Sequence, residues 1–381
     1  MKRHEIRALT GVRGIAAMLV AVYHLNGPHV PLPMRLPGAA GTLVGHGYLA
    51  VDLFFVLSGY VMALSYGNMV RRFAWPPYCK FLIRRIARVY PLFIVLTAII
   101  ALGLFTGISH EPQPGRLGPA FLLNALMLQS WFGSGWSLDV PAWSISAEWA
   151  AYVVFPLLAT FALFGTRRTA VLLFLVAIAS VVAIATIPAI ELRRTGPLDI
   201  YVPGPTLVRC LAEFSLGLLT YRASGNAAVC AAVERWWVGL LLAAGIIGFM
   251  AAGDYDLAVV ALFPPLVLAL AVGKGPVQRF CALPPIFLLG ELSYAIYLLH
   301  SRFIRVRDVL EAKLHPLASA AAPVIANLLV YALIVAVAWV LYSGLERPAR
   351  AWVRKAERLI PQRLPTPDRK APDLQAPAGR P

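Results

Sequence analysis

Residues 13–24 read RGIAAMLVAVYH, an apolar run closed at each end by an ionisable side chain. In an α-helix eleven residues advance about 1100°, roughly 20° past three full turns, so Arg13 and His24 project from one face about 16 Å apart. That is half the thickness of a bilayer core of about 30 Å. An ionisable group inside a membrane helix is costly and as a rule faces the protein interior or a water-filled cavity, which makes the pair functional candidates. The same spacing also fits a purely structural pair, Arg13 snorkelling to one interface and His24 marking the other.

Working outward from this run, the 381 residues are 59% hydrophobic and only 14% charged, with a mean hydropathy of +0.72. Runs of the length that spans a membrane, about 20 residues, recur almost throughout. They fall near 8–25, 48–66, 89–108, 144–163, 169–190, 204–221, 237–252, 257–273, 284–301 and 320–342. The expected fold is therefore all-α, a polytopic helical membrane protein of about ten transmembrane helices. The apolar stretch 117–132 is too short for a span and reads as a re-entrant or interfacial helix.

Of the 34 lysines and arginines, most fall in inner segments when both termini are cytoplasmic, the orientation that positive residues favour. Arg302, Arg305, Arg307 and Lys313 are the chief exception, lying outside in this arrangement. The net charge of +16 then reflects orientation and anionic inner-leaflet lipid, so no nucleic-acid partner is expected. Cys79, Cys210, Cys230 and Cys281 lack metal-ligand spacing, and neither disulfides nor a metal are expected. Residues 1–25 resemble a signal peptide, but Arg13 interrupts the apolar core and no small-x-small site follows; an uncleaved first helix is expected.

Residues 1–345 read as one membrane domain and 346–381 as a basic cytoplasmic tail. RPARAWVRKAERLI suits a short amphipathic helix on the inner leaflet, with Trp352 and Leu359 facing lipid. The proline-rich, charged end of the tail cannot bury a core and is expected to be disordered.

Several clusters stand out. In FLIRRIARVYPLF, Arg84, Arg85 and Arg88 share one helical face, which suits either a clamp for cosubstrate phosphates or an ordinary positive-inside cluster. Asp52 opens the second span at the depth of His24 and could orient its imidazole, or simply satisfy a helix N-terminus. Ser58 and Gly59, deeper in that span, read as packing residues. In PAWSISAEWAAY, Ser144, Glu148 and Tyr152 form an i, i+4, i+8 stripe beside Trp143 and Trp149, and Glu148 demands a partner or a water-filled site. The tryptophans also fit an interfacial belt, and Ser144 a helix start. ELSYAIYLLHSRF adds Tyr294, Tyr297 and His300, with His300 at the outer end, where it could be only interfacial. Arg209 and Glu213, four apart, read as a structural ion pair.

In this order the motifs resemble the acyltransferase-3 family of integral membrane acyltransferases over roughly residues 6–350. The R-x10-H element is matched by Arg13 and His24, and the G-V-D-L-F-F-V-x-S-G-like element by AVDLFFVLSGY. R-x-x-R followed by proline is matched by Arg85, Arg88 and Pro91, and W-S-L-x-x-E-x-x-x-Y by Trp143, Ser144, Glu148 and Tyr152. SYAIYLLH and ERP supply His300, Glu346 and Pro348. Ala50 and Ile145 depart mildly from the pattern, and GWSLDV at 135–140, with Asp139, partly duplicates one motif.

The resemblance implies an O-acyltransferase of the bacterial inner membrane. It would move an acyl group, acetyl in the first instance, from acyl-CoA to a hydroxyl of a carbohydrate or glycosylated small molecule. His24 would be base or nucleophile, Asp52 or Glu148 would orient it, Arg13 would line the donor channel or stabilise an oxyanion, and Arg84, Arg85 and Arg88 would hold phosphates. Ser144, Trp143, Tyr152 and His300 would support the substrates. The rival readings are an exporter of a polar or anionic solute using Arg13, Arg209 and Glu148, and a ligand-binding membrane module without turnover.

Overall fold

The computed structural model describes residues 6–26, 38–108, 117–132, 137–187, 196–317 and 321–359; the distal tail and the side chain of Leu359 lie outside them. Helices joined by turns and short loops make up the described residues, with no strand among them. In chain order the helices are α1 (Arg7–Asn26), α2 (Gly38–Gly45), α3 (Ala50–Arg71), α4 (Trp75–Phe105), α5 (Leu117–Ala125), α6 (Ala142–Ala159), α7 (Arg167–Thr186) and α8 (Pro205–Ala223). The series continues with α9 (Ala227–Val233), α10 (Trp236–Ala252), α11 (Asp256–Val272), α12 (Pro276–Cys281), α13 (Pro284–Leu299), α14 (Ile304–Leu314), α15 (Ala322–Leu341) and α16 (Arg347–Leu359).

Local chemistry explains the ends. Thr166 caps α7 by accepting from the Thr169 amide at 3.2 Å, and Asn226 caps α9. Prolines open α8, α12 and α13, where the missing amide hydrogen costs nothing.

Among the described residues six helical stretches are long and apolar enough to cross a membrane, or seven if α9 and α10, bent by 69°, count as one span. Each of the ten expected segments overlaps a helix, but α11 and α13 have only 17 and 16 residues, and α8 carries Arg209, Glu213 and Arg222. The arginine-rich segment before the third expected span is the first part of the 31-residue α4. Leu172, Leu175, Leu328, Leu329, Leu102 and Phe105 are exposed on α7, α15 and α4, as lipid-facing surfaces require.

Small residues set the two tightest crossings. A Cβ on Gly14 would lie 2.4 Å from the Gly290 amide nitrogen, and one on Gly290 1.9 Å from the Thr10 carbonyl oxygen, so α1 and α13 touch backbone to backbone. Gly59 and Gly217 do the same for α3 and α8. In both pairs residue numbers rise together along the contact: the helices run parallel.

The stretch after α5 turns at Met127 (φ 56) and folds back on the start of α6. Ser130 Oγ donates to the Trp143 carbonyl at 2.7 Å and Trp131 Nε1 to the Ser146 carbonyl at 2.9 Å. Part of the basic run after α13 is neutralised locally: Arg302 meets Asp139 at 2.9 Å, and Arg307 meets Asp308 and Glu311 at 3.1 and 3.2 Å.

Candidate active site

α1, α3, α4, α6 and α13 line an open cavity whose empty volume, including solvent at its mouth, is ≈ 760 Å³. Arg13, Arg85, Arg88 and Glu148 line it, with Ser58, Ser144, Tyr152, Ser293, Tyr294 and Tyr297. Three guanidinium groups thus line the same cavity as one carboxylate. Tyr152 donates to Glu148 Oε1 at 2.6 Å, as their i, i+4 spacing allows. The Arg85 guanidinium bonds the Tyr66 hydroxyl at 3.0 Å and lies 5.2 Å from the centre of that ring, leaving its buried Nε without a hydrogen bond. Ser58, read as a packing residue, faces this cavity, whereas Gly59 does pack.

Arg84 departs from the expected cluster. Its Nε and Nη2 fork the Glu357 carboxylate of α16 at 2.8 and 2.6 Å, with Lys80 Nζ 3.8 Å from the same group. It lines neither this cavity nor the next: helical periodicity puts Arg84 beside Arg88, but the docked α16 takes up its fork.

A second cavity, with ≈ 510 Å³ of empty volume including solvent at its mouth, is lined by His24, Trp143, Tyr23, Tyr48, Asp199, Tyr201, Arg209 and Tyr297. His24 Nδ1 lies 3.0 Å from the Val20 carbonyl oxygen and 3.2 Å from His300 Nε2. A carbonyl only accepts, so Nδ1 of His24 carries its proton. The same holds for His300, whose Nδ1 donates to the Tyr297 carbonyl at 2.6 Å. In the neutral rings His300 Nε2 is then an acceptor for His24, whose own Nε2 carries no proton. His300 is fully buried.

Both carboxylate oxygens of Asp52 are taken by Arg209, Oδ1 by Nε at 2.6 Å and Oδ2 by Nη2 at 2.5 Å, while Glu213 stands 3.6 Å from the same Nε. Arg209 Nη1 also donates to the Leu198 carbonyl at 2.5 Å. The expected Arg209–Glu213 pair is therefore a three-member network spanning α3 and α8, and the fork on Asp52 is set by Arg209. Asp256 holds the same loop from the other side, accepting from the Leu198 amide at 2.9 Å and from Tyr48 at 2.8 Å.

Outside the helices, burial pushes the Asp139 carboxyl above its usual range while Arg302 and Ser301 pull it down. Among the described residues no cluster of three His, Cys, Asp or Glu side chains could hold a metal. Tyr66, Asp199 and Tyr201 gave no sequence signal as site residues; only their neighbours in space identify them.

A family model described as an acyltransferase domain matches residues 6–343. Among curated proteins, the chain is 29% identical over 156 residues to Acyltransferase MdmB of Streptomyces mycarofaciens, covering 40% of this chain and 39% of that one. It is 26% identical to the putative membrane-bound transacylase BcsY of Komagataeibacter xylinus, over 78% and 72%. It is 24% identical to O-acetyltransferase OatA of Staphylococcus aureus, over 77% of this chain but only 49% of that one. No solved structure matches.

Proposed function

Because the chain belongs to this acyltransferase family, we propose that it is a membrane O-acyltransferase that moves an acyl group, acetyl first, from acyl-CoA to a hydroxyl of a carbohydrate or glycosylated small molecule. The observation that carries this is the pair of adjoining cavities, one lined by Arg13, Arg85 and Arg88 and the other by His24. Guanidinium forks match phosphate oxygens, so the first cavity suits the polyanionic donor. Trp143, Tyr23, Tyr48 and Tyr201 with Asp199 in the second suit the apolar faces and hydroxyls of a sugar. The name of OatA supports O-acetyl transfer in particular.

An alcohol attacks a thioester only when its proton is removed in step. His24 Nε2 takes the hydroxyl proton as the oxygen bonds to the thioester carbon. The carbon–sulfur bond breaks, and the thiolate leaves and recovers the proton from His24, yielding an ester and a free thiol. His300 holds His24 in the required tautomer, and Arg13, in the other cavity, lines the donor side. Glu148, anchored by Tyr152, sets the orientation of groups in the donor cavity, and Asp52 acts through Arg209 on the wall of the second. Ser144 and Trp143 support the donor and acceptor sides respectively.

The proposed setting is the bacterial cytoplasmic membrane, with ten spans and both termini inside. Parallel contact of α1 with α13, and of α3 with α8, supports that alternation, because spans one and nine and spans two and six then run the same way.

The test is thiol release from acetyl-CoA by purified protein in nanodiscs, with a glycan and macrolide panel, wild type against His24→Ala. Release that depends on acceptor and is lost by at least about 100-fold in the variant is expected. A well-folded preparation that neither binds nor consumes the donor refutes the reading, and anion flux through the same preparation would favour export.

A further inference from the structure

The two cavities share only two lining residues, Val51 of α3 and Tyr297 of α13. Both are buried, each 6% exposed. Tyr297 is held by three contacts from three directions. Its hydroxyl lies 2.7 Å from Ser144 Oγ and 3.1 Å from the Pro141 carbonyl oxygen, which also accepts from Ser144 at 3.1 Å. The Phe54 ring stands edge-on at 5.8 Å between centroids. Its backbone carbonyl accepts from His300, the neighbour of His24. The phenol is thus pinned to the start of α6 while its own helix carries the histidine pair.

We propose that Val51 and the Tyr297 ring form an acyl-length gate, a passage that admits a short acyl group from the arginine-lined cavity to His24 and excludes longer ones. The inference rests on the acyl-transfer reading above and adds a specificity determinant to it. With the phosphates held by Arg85 and Arg88, the donor presents its acyl end toward the shared wall. The acceptor hydroxyl beside His24 meets the thioester carbon where that carbon stands level with the shared wall, so the acyl chain packs against Val51 and Tyr297. Each methylene beyond acetyl then meets a buried wall that is hydrogen-bonded in place. One methylene in a close-fitting apolar pocket is worth about 10- to 200-fold in discrimination.

The experiment compares kcat/KM for acetyl-, propionyl- and butyryl-CoA in wild type, Val51→Ala and Tyr297→Phe, each in nanodiscs. Val51→Ala widens the passage without touching the hydrogen bonds. Tyr297→Phe keeps the ring but cuts its ties to Ser144 and Pro141. The readout is the butyryl-to-acetyl ratio within one preparation, so a loss of folded fraction cancels, which a merely structural role would not shift. Val51→Ala is expected to raise that ratio by about tenfold, and Tyr297→Phe by less. Variants that transfer acetyl but keep the wild-type ratio overturn the gate while leaving the acyltransferase reading intact. Wild type with no His24-dependent transfer of any donor overturns both.

Discussion

Replacing Arg209 should damage the fold more than replacing Asp52, although the two form one ion pair. Arg209 is 1% exposed and Asp52 and Glu213 are each fully buried. Arg209→Met leaves both carboxylates without this cation and removes the donor to the Leu198 carbonyl oxygen. Breaking a buried pair by removing one partner costs about 3–5 kcal/mol, and an orphaned buried acceptor about 1–3 kcal/mol more. Asp52→Asn keeps the shape and leaves Arg209 with Glu213 at 3.6 Å, so the loss is that of charge-assisted hydrogen bonds, about 1.5–3 kcal/mol. The expected difference is therefore about 2 kcal/mol or more. Neutralising the whole network in Arg209→Met, Asp52→Asn, Glu213→Gln should recover part of the loss, because no charge is then left buried. Unfolding midpoints in a single detergent, read by tryptophan fluorescence and by the fraction that stays monodisperse after heating, rank the variants. An Asp52→Asn protein as unstable as Arg209→Met, or a triple variant worse than either, would refute the reasoning.

Arg88→Lys keeps the charge but loses the fork, so KM for acyl-CoA should rise about tenfold with a smaller change in kcat. Arg84→Lys should leave that KM unchanged but loosen α16, measured as faster proteolysis after Arg347, since its fork is spent on Glu357. Gly290→Ala should sharply lower the yield of folded protein, because the new methyl would sit 1.9 Å from the Thr10 carbonyl oxygen; normal yield and midpoint would contradict the close α1–α13 contact. His300→Phe should lower kcat by about 10- to 100-fold with donor KM little changed, since it removes the acceptor for His24 Nδ1; unchanged kcat would show that the tautomer needs no such partner.

The membrane-spanning, all-helical character was legible in the sequence, because a bilayer accepts only backbones whose hydrogen bonds close within the segment, and long apolar runs announce that solution. So were Arg13, Arg88, Glu148 and Tyr152: an ionisable or polar group in such a run must find a cavity or a partner, and these four line the same cavity. The number of crossings was less legible. Hydropathy does not distinguish a short or charged helix shielded by its neighbours, such as α13 or α8, from one that fails to span.

Partner choice lay beyond sequence reading. Asp52 and Arg209 are 157 positions apart and Arg84 and Glu357 are 273 apart. Periodicity orients a side chain about its own helix and says nothing of which helix it meets. By itself the sequence determined which faces are apolar and where charge is tolerated, since these follow from local periodicity and the cost of burying charge. Only the tertiary structure decided that His24 and His300 are neighbours, that Asp52 belongs to Arg209, and that Tyr297 and Val51 divide two cavities. Those contacts depend on backbone approach at Gly14–Gly290 and Gly59–Gly217, where the absence of a side chain acts through a partner far away in the chain.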